Sequence, residues 1–186
     1  MNIAKYFWGI RALLYKYKLG KVDRLSYIGK PILISHPRNL KLGQKCRIYP
    51  GLRVEIVNDN SYITIGNNVS IGQNFHIVSY NNNLHIGSDV TISGNVLITN
   101  CDHAYQQIGQ HILDQPLIEN ETEIGDGCFI GYGAVIQAGT KLGKQCIVGA
   151  NSVVKGVFPD YSVIVGAPGR VVKHYDIKLE QWSRNE

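Results

Sequence analysis

Residues 118–158 read IENETE-IGDGCF-IGYGAV-IQAGTK-LGKQCI-VGANSV-VKGVF, and the first letter of each block is aliphatic: Ile118, Ile124, Ile130, Ile136, Leu142, Val148 and Val154. The fifth letter is small in six of the seven blocks, at Thr122, Cys128, Ala134, Thr140, Cys146 and Ser152, with Phe158 the exception. A six-residue period fits neither an amphipathic helix nor one long strand. It fits a short strand plus a corner, three of which close one triangular turn of a solenoid. The aliphatic and the small residue then share a narrow interior in which two large ones would collide. Gly125, Gly131, Gly143 and Gly149 follow the aliphatic, at a corner that strains other residues.

The same frame runs backward with interruptions through Ile86, Ile92 and Ile98, through Ile65, Ile71 and Ile77, and through Leu42, Ile48 and Val54. The step from Ile65 to Ile86 is one coil plus three residues, which makes Tyr80–Asn83 a bulging corner. The period predicts an all-β fold, a parallel β-helix over 41–168 that carries one external loop at 104–117. A short helix is expected at each end, within a lead-in at 1–40 and a tail at 169–186. Cys46, Cys128 and Cys146 fall on fifth positions and are read as small core residues.

Residues 3–17 place Ile3, Phe7, Ile10, Leu14 and Tyr17 on one helical stripe. Two readings follow: a helix that caps the open end of the solenoid, or one that lies on an anionic membrane surface. The first thirty residues carry seven basic side chains and one acid, Asp23, so the remainder of the chain, within a total of +5, is net −1. A basic excess confined to one end argues against a nucleic-acid-binding domain. The cysteines form no CxxC pair and no metal-ligand spacing, so no metal is expected. The start lacks the apolar core and cleavage site of a secretory signal. Reduced cysteines and a cytoplasmic location, extending to the inner face of a membrane, are the expectation.

Of six histidines, His36, His76, His85, His111 and His174 have no nucleophile or carboxylate partner in the local sequence. His103 ends a repeat, follows Asp102 and immediately precedes the non-repetitive stretch, so it is the candidate base.

The stretch Ile86–Lys173 resembles the hexapeptide-repeat acyltransferases, the galactoside, maltose and polysaccharide O-acetyltransferases above all. The pieces that carry the likeness are ITNCDHAY (98–105), IGDGCFIGYGAVIQAGTKLGKQCIVGANSVV (124–154) and VIVGAPGRVVK (163–173). The resemblance implies a left-handed β-helix, a homotrimer with active sites between subunits, acetyl-CoA as co-substrate and a sugar or glycan acceptor. It implies His103 as the general base of a direct transfer, with Asn74 and Asp102 toward the acceptor. Tyr132 and Ala150 match positions whose backbone N–H groups meet the thioester and pantetheine, and Lys155, Arg170 and Lys173 match the nucleotide end of CoA. Departures are Phe129 where the family often has tryptophan, Lys155-Gly156 where it has Thr-Lys, and Gly166-Ala167-Pro168-Gly169 where it has a GxPA turn. The acidic N-terminal region of the maltose and galactoside enzymes is missing, which turns the expectation toward the polysaccharide branch.

A γ-type carbonic anhydrase needs three zinc-binding histidines, two of them five apart, whereas His103 and His111 are eight apart. An ice-binding array needs regular exposed threonines, and Thr64, Thr91, Thr99, Thr122 and Thr140 form none. A non-catalytic scaffold, N-acetylation of a nucleotide-linked amino sugar, and Cys101 as a nucleophile stay open.

Overall fold

The computed structural model describes residues 3–184. It is a left-handed parallel β-helix of three faces, with strands stacked in sheets of seven, nine and six. Pairing between coils is parallel and in register: Ile86 meets Ile65 on one side and Ile124 on the other, and Ile98 lies between Ile77 and Ile136. Each coil thus supplies the backbone partners of the next, and strands of two residues suffice where an isolated pair would not.

The interior follows the six-residue period. Ile124, Ile130, Ile136, Leu142, Val148 and Val154 are buried, as are Thr122, Cys128, Ala134, Thr140, Cys146 and Ser152. The hydroxyls that enter this core are satisfied: Thr140 Oγ1 donates to the carbonyls of Gln137 and Val154, and Ser162 Oγ donates to that of Pro159. Cys46, Cys128 and Cys146 are free, buried thiols. Corners are turned by residues with positive φ, asparagine as well as glycine: Asn74, Asn95, Gly133 and Asn151 stack in one row between the second and third faces. Asparagine tolerates this left-handed conformation better than other side chains.

Three features differ from the reading of the sequence. Ile118 does not point inward: strand Leu117–Glu119 pairs antiparallel with Cys101–His103 as the base of the excursion, and Ile118 is 40% exposed. The first coil begins in the expected lead-in, at Lys21–Val22, with Tyr27–Ile28 and Leu33–Ile34 completing it. Val22, Ile28 and Ile34 keep the six-residue step, out of phase with Leu42 because a turn at Pro37–Asn39 intervenes. Among the described residues the C-terminal tail holds no helix after Asp176. Strand Arg170–Asp176 folds back antiparallel on Ser162–Val165 and forms a hairpin with Gln181–Arg184. The Asp176 carboxylate accepts from the N–H groups of Lys178 and Leu179, which makes a turn of what would be a helix start. Tyr175 packs across the hairpin on Trp182, 5.5 Å between ring centres.

The expected N-terminal helix, α1 (Ile3–Tyr15), is present. It docks through a face other than its long apolar stripe. Trp8 packs on the rings of Tyr27 and Tyr49, Arg11 donates to the Ile28 carbonyl (3.0 Å), and Ala12 is buried against the first coil. A large aromatic beside a small residue lets this second stripe approach closely, so the helix both caps the solenoid and leaves Ile3, Phe7, Ile10 and Leu14 exposed. No helix among the described residues is long and apolar enough to cross a membrane.

Candidate active site

His103 ends the strand that leaves the solenoid, and the antiparallel pairing His103–Leu117 holds its backbone at the mouth of the loop. Its side chain is exposed. Among the described residues no side chain is hydrogen-bonded to the ring, so the imidazole is open to a ligand. It lines a hollow of about 350 Å³ on the outer side of the third face, together with Glu55, His76, Thr99, Cys101 and Leu117 and the apolar Val57, Val78 and Leu97. A hollow with an apolar floor and a few convergent polar groups suits a small polar ligand.

Two polar members of this hollow, Glu55 and His76, had no marker in the local sequence. Glu55 accepts from the Arg53 guanidinium and lies 2.9 Å from Nε2 of His76. Partial burial works against ionising Glu55, but Arg53 and His76 outweigh it and hold the carboxyl below the usual carboxylate range. A folded-state value below the unfolded one adds stability above the unfolded range, lost as pH falls through the folded value. Glu55→Gln is therefore expected to lessen the loss of stability between neutral and acid pH, read from denaturant midpoints at two pH values. The signal for the pair is the coil: the register sets His76 beside Arg53, and Glu55 is the next outward residue along that strand. Stacking of neighbouring coils likewise gives His85 its contact with Thr64 Oγ1 and His36 its place beside Asp59. Partners in a solenoid lie about twenty residues away rather than three or four.

The remaining candidates fall into two groups. Asp102 is bound by Lys155, Nζ–Oδ2 3.2 Å, beside His103. The residues expected at the acceptor and at the nucleotide are thus in contact, and Asp102 faces Lys155 rather than orienting the imidazole. Asn74, Tyr132 and Ala150 lie instead along the corner row between the second and third faces. There Asn74 Nδ2 donates to Asn95 Oδ1 (3.0 Å), and Asn95 in turn donates to the Tyr132 hydroxyl. The N–H groups of Tyr132 and Ala150 have no acceptor among the described residues, as is true of Gln73 and Gly94 in the same row. They form a line of outward donors. Arg170 and Lys173 are exposed on the returning strand. Within one chain His103 lies beyond the far end of the third-face strands from this row, and its hollow runs along the face toward His76 and Leu97 at their near end.

Burial pushes the Cys101 thiol up, which disfavours the thiolate a nucleophile needs. Among the described residues no three His, Cys, Asp or Glu side chains converge as a metal site. A second hollow of about 400 Å³, on the first face, is lined by His85, Glu123, Lys141 and Asp160 and holds none of the candidates.

Stacked triangular coils, a small-residue interior and one excursion make the architecture of a hexapeptide-repeat solenoid. Residues 121–156 match the family model for the bacterial transferase hexapeptide (six repeats). It is similar to a probable acetyltransferase of Mycobacterium tuberculosis, 36% identical over half of this chain but only 33% of that protein's length. It is also similar to a putative lipopolysaccharide biosynthesis O-acetyl transferase of Escherichia coli, 27% identical over 83% of this chain and 81% of the relative. In fold it matches AntD, an N-acyltransferase from Bacillus cereus solved with dTDP and 3-hydroxybutyryl-CoA, with a TM-score of 0.74, 19% identity and coverage of 91% and 90%.

Proposed function

We propose that the protein transfers an acetyl group from acetyl-CoA directly to a hydroxyl of a sugar or of a surface-glycan precursor. The observation that carries this reading is the exposed His103 imidazole, without a side-chain partner among the described residues, at a hollow edged by Glu55, His76 and Thr99. Nε2 of His103 takes the proton from the acceptor hydroxyl as its oxygen attacks the thioester carbonyl. The tetrahedral adduct collapses with cleavage of the C–S bond, and the imidazolium returns its proton to the departing thiolate of CoA. The free N–H groups of Tyr132 and Ala150 suit the developing oxyanion and the pantetheine amides, where one such donor is worth about 10²–10³ in rate. Arg170 and Lys173 supply charge for the phosphates.

A complete site needs the donor row and His103 to face each other, and in one chain they lie at opposite ends of the third-face strands. The proposed assembly is a homotrimer about a threefold axis parallel to the solenoids, in which one subunit's row faces the next subunit's histidine. Asn74 then reaches the acceptor from across the interface, while Glu55 and His76 hold other sugar hydroxyls from the same subunit as His103.

The test is release of CoA in the presence of a panel of sugars and of nucleotide-linked amino sugars. Faster release with a neutral sugar or glycan fragment supports O-transfer; release only with the amino sugars replaces it with N-acetylation, and release with none leaves a scaffold. His76→Ala is expected to raise the acceptor KM about tenfold, with a smaller change in kcat, because it removes a hydrogen bond made equally in ground and transition states.

A further inference from the structure

The surface of α1 turned away from the solenoid is apolar along its whole length. Ile3, Tyr6, Phe7, Ile10, Leu13 and Leu14 are between 40% and 77% exposed, and Tyr17 beyond the helix is 86% exposed. Isolated exposed apolar residues are ordinary, but a continuous row over four turns is not. The helix does not need this face for folding, since Trp8, Arg11, Ala12 and Tyr15 already dock it. Nor is it held loosely: Trp8 wedges against two tyrosines, and Lys5 lies over both of their rings.

Charge identifies what meets this face. Residues 1–22 contain no acid. Lys5 is engaged by the tyrosines and Lys21 by Asp23, but Lys16, Lys18 and Arg24 are exposed without an acidic partner among the described residues. Lys16 and Arg24 border the same surface hollow as Leu13 and Leu25, the latter 78% exposed. An apolar strip edged by cations repels a second copy of itself, because a symmetric contact would oppose the same positive charges. It complements a surface that is apolar inside and anionic outside.

We infer that the outward face of α1 beds into the interface of an anionic lipid bilayer, with Lys16, Lys18 and Arg24 among the headgroup phosphates. The side chains sink to the headgroup–acyl boundary and nothing spans the membrane. The full chain is then peripheral, with the solenoid standing on its N-terminal coil. This inference does not depend on the proposed acetyl transfer.

Co-sedimentation of the full-length protein with phosphatidylcholine vesicles, with and without about one-third phosphatidylglycerol, tests it. Binding is expected to be at least about tenfold stronger to the anionic vesicles and to weaken in about 0.5 M salt. The double substitution F7E/L14E on the exposed face is expected to cut that binding at least about tenfold, with the melting temperature and the oligomeric state unchanged. K16E/R24E, which keeps the apolar strip, is expected to remove most of the preference for phosphatidylglycerol. Equal binding of native protein and F7E/L14E overturns the inference. So does a smaller oligomer in F7E/L14E by light scattering, which makes the face an interface between copies.

Discussion

Replacing His103 with alanine is expected to lower the rate of the proposed acetyl transfer by at least about 100-fold and to leave folding and assembly intact. The size follows from losing the group that removes the acceptor proton in the transition state, where a positioned base contributes about 10²–10⁴-fold. The retained fold follows from the side chain's place outside the core: His103 is exposed and has no side-chain partner among the described residues, so alanine leaves neither a cavity nor an orphaned polar group. kcat and kcat/KM are expected to fall together, since the proton moves only in the chemical step. Turnover near the native rate would remove His103 from the mechanism and leave Lys155 or His76 to be tested as the base.

The second large effect is on stability. Phe75 occupies the fifth position of its hexad, where most coils carry a small residue, and it is completely buried between Leu52 and Val96 of the neighbouring coils. Phe75→Ala is expected to cost about 3–5 kcal/mol, from lost transfer energy and from the cavity left in an interior that backbone stacking keeps from collapsing. Cys46→Ala removes one sulfur from a comparable position and is expected to cost far less. Denaturant midpoints of the two variants check the order. Because Phe75 immediately precedes His76 in the strand that floors the hollow, the variant is also expected to weaken acceptor binding more than CoA binding.

The coils were legible because one physical constraint, a narrow triangular interior, writes the same two letters every six residues from Ile124 to Val154. The constraint ends where the stacking ends. Ile118 keeps the period by coincidence, since its strand pairs with Asp102 in an antiparallel ribbon and has no inward side. The helix expected after Asp176 was lost to a carboxylate that caps a turn and to an aromatic pair across a hairpin, neither of which the six-residue period reports. In α1 both stripes are apolar, and the sequence marks the longer one. The choice between them falls to Tyr27 and Tyr49, which offer Trp8 a seat and are separated from it by a turn and most of two coils.

The site was legible in part for a related reason. His103 stands out because it sits at a break in the repeat. Glu55 and His76 do not, because their contact is set by the coil length, which extra residues stretch from 18 to 23 between Val54 and Ile77. The contact of Lys155 with Asp102 spans the whole excursion, 53 residues along the chain, and depends on how the loop base folds back on the third face. Asn74, Tyr132 and Ala150 fall in one row for the opposite reason: the corner positions repeat with the coil, and the row follows once the bulges are counted.

The central claim is that one subunit's His103 meets a thioester laid along the donor row of its neighbour. A crystal structure of the protein with bound CoA tests it most directly. The account predicts a trimer in which the CoA sulfur lies within about 4 Å of the space over Nε2 of His103 that an acceptor oxygen would fill, at near-attack separation. The Tyr132 and Ala150 N–H groups of the adjacent subunit are expected to point at the pantetheine arm. CoA bound with its sulfur remote from every His103, for instance in the first-face hollow of His85 and Lys141, would contradict it.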